Sequence, residues 1–212
     1  MLAVPVSAII GSLLGCASWV VAMKLTAEAR VGARGERALL LLSGVCGAGV
    51  LAISAFRSGG DPTQVVVAAL LAFPLLITLL TDILARLIFP AVLLPGFLVA
   101  LTLAAARPLG VPWQAALISG GGAAFVTALL VAASRWIWSG SEEPPLGSGE
   151  ILIAATIGAM LGPDATPVVL LAGVVLAAAA AGLLLLTRSA RREDAIPYGA
   201  WLCGAALAAL AL

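Results

Sequence analysis

The stretch "LGSGEILIAATIGAMLGP", residues 146–163, sets a single acid, Glu150, behind Gly147-Ser148-Gly149 and ahead of an otherwise apolar run. An ionisable group that abuts a run built for lipid is costly unless it faces protein or water. The run itself has the composition of a membrane helix, and similar runs recur along the chain. With 63% hydrophobic residues, 10% charged residues and a mean hydropathy of +1.19, the 212-residue chain carries more apolar side chains than one water-soluble core can hide. Backbone groups in lipid must be satisfied within the segment, so helices are expected. The period-two alternation of a transmembrane barrel is missing. The fold class read from this is an all-α integral membrane protein, a bundle of about eight transmembrane helices forming a single membrane-embedded domain over residues 1–212.

Charged or Gly/Pro-rich breaks, among them "KLTAEARVGARGER", "RSGGDPTQ", "TDILAR" and "GPDATP", divide the chain into spans at about 2–23, 38–56, 64–82, 87–106, 112–136, 150–162, 167–187 and 197–212. Most approach the ~20 residues needed to cross a hydrocarbon core of about 30 Å. The first span has neither a basic residue before it nor a small-residue cleavage site, and reads as retained rather than removed. Lys24, Arg30, Arg34, Arg37, Arg86, Arg135, Arg188, Arg191 and Arg192 fall in odd-numbered loops, whereas only Arg57 and Arg107 fall in even ones. Basic loops stay in the cytoplasm, which puts both termini outside and the ends bearing Asp82 and Glu150 on the cytoplasmic side.

Several function classes are set aside by composition. A net charge of +1 offers no nucleic-acid surface, and the absence of histidine removes any His-based triad, haem or His-zinc site. Cys16, Cys46 and Cys203 stand singly within apolar runs and read as buried small side chains rather than disulfides or metal ligands. No cofactor is implied. Glu28, Glu36, Glu142, Glu143, Glu193 and Asp194 read as solvated loop charges, and Asp61 and Asp164 as turn-closing residues beside Gly and Pro.

Asp82 and Glu150 remain. The bland reading of Asp82 is a charge paired with Arg86 at i,i+4, and that of Glu150 a carboxylate favoured by its helix dipole. The alternative is that they converge. Two carboxyls a few ångströms apart cannot both ionise cheaply, so one keeps a proton and serves as acid while the other serves as base. Gly147 and Gly149 would then let a substrate backbone approach the acid. Other small residues read as packing devices: "SGGGAAF" at 119–125 and Gly158-x-x-x-Gly162 would let helices approach closely. Pro74 should kink the third span before Asp82, and Pro90 and Pro95 should loosen the start of the fourth, admitting water and substrate. Trp113, Trp136 and Trp138 lie near span ends as interface anchors.

With these residues in view, the chain resembles the type IV prepilin peptidases, membrane aspartyl proteases with a Gly-x-Gly-Asp motif. "GSGEILIAATIGAMLGP" is similar to that family's second active-site segment, and "TDILARLIFPAVLLPGFLVAL" at 81–101 to its first. "GSLLGCASWVVAMKL" at 11–25 is similar to the Gly-Ser-Phe-Leu-Asn segment of the first span, and "IPYGAWLCGAALAAL" at 196–210 to the Ile-Pro-Phe-Gly-Pro opening of the last. The resemblance implies an endopeptidase with Asp82 and Glu150 as its catalytic acids and Gly147 and Gly149 at the substrate. It also implies a pilin-like precursor as substrate, cut where a short basic leader meets an apolar helix at the cytoplasmic face of the inner membrane. Glu142 and Glu143 would attract such a leader, unless they are merely free loop charges. Glu150 replaces the family's second Asp, and Pro90 lies one position later than the usual Pro. The loop after the first span lacks a Cys-x-x-Cys zinc module, so cleavage without methylation is expected. Two other readings stay open: an impaired homologue that binds pilin-like helices in an assembly system, and a small transporter relaying protons through the two acids.

Overall fold

The computed structural model describes residues 3–27, 36–106, 109–137, 147–187 and 197–212, and their regular structure is all helical. The helices are α1 (Ala3–Leu25), α2 (Glu36–Arg57), α3 (Pro62–Ala85), α4 (Pro90–Ala105), α5 (Trp113–Ile137), α6 (Gly149–Leu186) and α7 (Tyr198–Ala211). Five of them, α1, α2, α3, α5 and α6, are long and apolar enough to cross a membrane, while α4 and α7 are shorter. Large apolar side chains such as Leu13, Leu41, Phe56, Ile118 and Val168 point outward, as suits a bundle in lipid. The expectation of a helical membrane protein agrees with this architecture. The described residues form seven helices where about eight spans were expected, because the sixth and seventh spans run on as the single element α6.

α6 has 38 residues, and a straight helix of that length would measure about 57 Å, nearly twice a hydrocarbon core. It is not straight. Gly162 has φ 73° and ψ −178°, backbone that is essentially restricted to glycine, and Pro163 follows it. The chain folds back there, since Ile153 lies against Gly199 and Gly173 against Leu202, bringing both halves of α6 onto one turn of α7, and contacts with α5 hold the bend. A methyl group at Gly158 would lie 2.6 Å from the carbonyl oxygen of Ser119, and the hydroxyl of that same Ser119 lies 3.0 Å from Thr166 Oγ1. Thr166 in turn donates to the Gly162 carbonyl and closes the break. The sequence places a loop between Gly162 and Pro167, but one residue suffices to turn the chain.

α3 is the central element. It packs against α1, α2, α4 and α7, and Leu71, Leu75 and Leu76 join Leu93 of α4 and Ile153 and Ile157 of α6 in the main core. Asp61 caps its start, accepting from Thr63 N at 2.9 Å, and Pro62 occupies the first turn, where no N–H is needed. The turn-closing role read for Asp61 is therefore observed. Pro74 lies buried inside α3 against Gly96, and together with Pro95 it lines a groove between α3 and α4. That groove is lined by apolar side chains such as Leu70, Phe73 and Ile77, not by a watery cleft. Pro90 begins α4 instead of loosening it.

Small residues set the remaining crossings. At α1 and α2, a methyl at Gly11 would meet the Gly47 carbonyl oxygen at 2.2 Å, and one at Gly15 the Ser43 carbonyl oxygen at 2.1 Å. At α5 and α6 the contact is Gly120 with Gly158; Gly121 and Gly122 face open space, so one of the three glycines in "SGGGAAF" makes the approach. Gly158→Val should force these backbones apart. We expect a loss of about 2 kcal/mol, the scale of an overpacked core, measured as a lower unfolding temperature in detergent, with Gly122→Val unchanged as the control.

Of the three cysteines, Cys203 is buried and Cys46 is half-buried, but Cys16 is exposed on the outer side of α1, contrary to the sequence reading. Trp113 and Trp136 are exposed near helix ends, consistent with interface anchoring. Glu142, Glu143, Trp138, Glu28, Glu193, Asp194, Arg30, Arg34, Arg107, Arg188, Arg191 and Arg192 lie outside the described residues, and so does much of the loop-charge argument for orientation.

Candidate functional site

Asp82 stands in the last turn of α3 and Glu150 in the first turn of α6. Both are buried, at 4% and 8% exposure. Burial of Asp82 follows from the central place of α3, whose end is covered by α7 and by the link to α4. α3 stops at Arg86, which takes a left-handed conformation at φ 55°, its N–H returning to the Asp82 carbonyl at 2.9 Å. The chain then runs extended to Phe89, the N-cap of α4.

The bland reading of Asp82 as the partner of Arg86 is replaced by a different arrangement. The carboxyl bonds to another helix: Asp82 Oδ2 accepts the N–H of Ala200 at 2.7 Å. Ala200 lies in the first turn of α7, whose N-cap residue, Pro197, supplies no side-chain cap. The first N–H groups of a helix lack partners within it, and the carboxyl from α3 meets that need across the fold. Glu150 behaves likewise within its own segment. Its Oε2 accepts the N–H of Gly147 at 2.9 Å, closing the turn that leads into α6 where Ser148, the N-cap, makes no side-chain bond. The dipole of α6 also favours a negative group at that end.

Glycines fix how closely these parts meet. A methyl at Gly149 would lie 2.6 Å from Ile88 Cβ, so the space read as room for a substrate backbone is occupied by Ile88 from the α3–α4 link. A methyl at Gly199 would lie 2.8 Å from Ile153 Cδ1, 3.1 Å from Asp82 Oδ2 and 3.2 Å from Ile88 Cδ1. Ile88 thus touches the head of α6 and the head of α7, one beside each acid. Gly147 sits against Glu150 itself, its missing methyl 3.2 Å from Oε2.

Sequence reasoning singled out Asp82, Glu150, Gly147 and Gly149, and all four gather here. It passed over Ile88, Gly199 and Ala200. A signal for the last two was present: Pro197 opens an apolar helix with no capping side chain of its own, so a partner for its first N–H groups had to come from elsewhere.

The cap makes a separable prediction. Asn caps about as well as Asp, and Ala does not. Asp82→Ala should therefore destabilise the protein by about 1 kcal/mol more than Asp82→Asn in thermal unfolding. Equal effects from the two would mean that the bond to Ala200 contributes nothing.

Comparison with protein-family models, with curated proteins and with solved structures finds no match for this chain.

Proposed function

We propose that the chain is a membrane aspartic endopeptidase of the type IV prepilin peptidase kind, with eight crossings, in which the two halves of α6 on either side of Gly162 each cross once. The substrate is a pilin-like precursor presenting a short basic leader at the cytoplasmic face of the inner membrane. The observation that carries this reading is that Ile88 packs on both Gly149, beside Glu150, and Gly199, beside Asp82, so the two acids flank one side chain. These acids come from distant parts of the chain, lie at one end of a lipid-facing bundle, are both buried, and each has an oxygen steadied by a main-chain N–H. Two acids so placed suit hydrolysis. One carboxylate takes a proton from water as the hydroxide attacks the scissile carbonyl, and the other carboxyl donates a proton to the amide nitrogen as the C–N bond breaks. The acids end with the proton exchanged between them, and the products are the leader and a new N-terminus. No metal or cofactor enters this scheme.

One observation favours a second reading. Both carboxyls already have structural work, Asp82 capping α7 and Glu150 closing the turn before α6, so they could be retained for folding in a relative that binds pilin-like helices without cutting them. Purified protein incubated with a precursor pilin separates the two: leader release by the native chain supports the peptidase, and stable binding without product supports the assembly protein.

A further inference from the structure

We propose that the first turn of α7 is the positioning element for Asp82, acting through the Ala200 N–H and the bare Cα of Gly199. This rests on the reading of Asp82 as a catalytic acid. The Ala200 bond, at 2.7 Å, fixes one carboxyl oxygen, and Gly199 sets how near α7 can come. Any side chain at Gly199 meets three groups at once: Ile153 of α6, Ile88 of the α3–α4 link, and the carboxyl oxygen itself. Behind this turn α7 is anchored in the main core by Leu202, Cys203, Ala206 and Leu207, and Gly173 of α6 lies against Leu202, where a methyl would come within 2.7 Å of Cδ2. The turn is therefore held rigidly from behind and cannot retreat to accommodate a methyl. The carboxyl oxygen, 3.1 Å from the added methyl, must then give by a few tenths of an ångström from the place where the Ala200 N–H holds it.

Gly199→Ala tests this, with Gly199→Ala/Ile153→Val/Ile88→Val as the second variant. The triple change removes both isoleucine Cδ1 atoms and leaves the carboxyl as the one crowded neighbour among the three. Four quantities are read: the unfolding temperature in detergent, kcat and KM for a leader-bearing precursor, and the infrared carboxyl band that disappears in Asp82→Asn. Gly199→Ala is expected to lower kcat by roughly 10-fold with KM within about twofold, since rate depends steeply on the placement of a reacting group. The triple variant should regain the native unfolding temperature but not the native kcat, and the Asp82 band should stay displaced in both. Recovery of kcat together with the unfolding temperature would reduce Gly199 to a packing residue and overturn the proposal, as would an unmoved band. If the native chain releases no leader, the peptidase reading fails by itself, and the band still decides whether α7 orients Asp82.

Discussion

Asp82→Asn and Glu150→Gln are each expected to reduce leader release by about 10³-fold, the scale on which a positioned acid or base contributes to catalysis. Each replacement preserves size and keeps an oxygen able to accept a hydrogen bond. In Asp82→Asn the amide oxygen can still cap α7 at Ala200, and in Glu150→Gln it can still take the Gly147 N–H. The unfolding temperatures should stay close to native, so lost product reports chemistry and not a collapsed bundle. The double variant should be no worse than either single one, since acids that work as a unit fail together. Steady cleavage by either single variant would remove that residue from the chemistry, and steady cleavage by both would remove the aspartyl mechanism.

The parts of this arrangement legible in the sequence are those written in composition and local order. Apolar runs of membrane length are enough to name helices, and acids abutting such runs stand out because they are costly in lipid. Asp82 and Glu150 were visible for that reason, and Asp61 for its place before Pro62. What stayed hidden depends on partners from elsewhere in the chain. The carboxyl of Asp82 bonds to α7 rather than to Arg86 because α3 ends in a left-handed turn at Arg86, and helical spacing assumed a helix that continued. Ile88 fills the space at Gly149 because the α3–α4 link passes over it, which no local pattern encodes. The closest crossing of all, Gly11 and Gly15 of α1 on α2, lay inside a stretch noted for its family resemblance and not for packing. The glycine triplet at 120–122 drew notice, yet only its first member meets another helix.

Gly162→Ala should be among the most damaging single changes outside the acid pair, with an expected loss of about 3 kcal/mol or more. Two costs add. An alanine forced to φ 73° and ψ −178° is strained by roughly 1–3 kcal/mol. Its methyl would also lie 3.0 Å from Val111 Cγ1 and 3.2 Å from Cγ2, a crowding worth about 1–3 kcal/mol in a packed interior. Trimming Val111 to Ala in the same chain should recover only the second part, and the remaining deficit measures the backbone strain. The alternative for the variant is to straighten, which would carry Gly173 some 34 Å from Glu150 at about 1.5 Å per residue. Gly173 instead rests on Leu202, two residues beyond the amide that holds Asp82, so straightening tears α7 from α6 and uncovers the acid. Leader release should therefore fall in step with the loss of folded protein. Cysteines introduced at Gly173 and Leu202 should cross-link in the native chain and fail to do so in Gly162→Ala. A Gly162→Ala protein that keeps its unfolding temperature and that cross-link would show that the chain turns back without this residue's special backbone, and the two-crossing reading of α6 would lose its hinge.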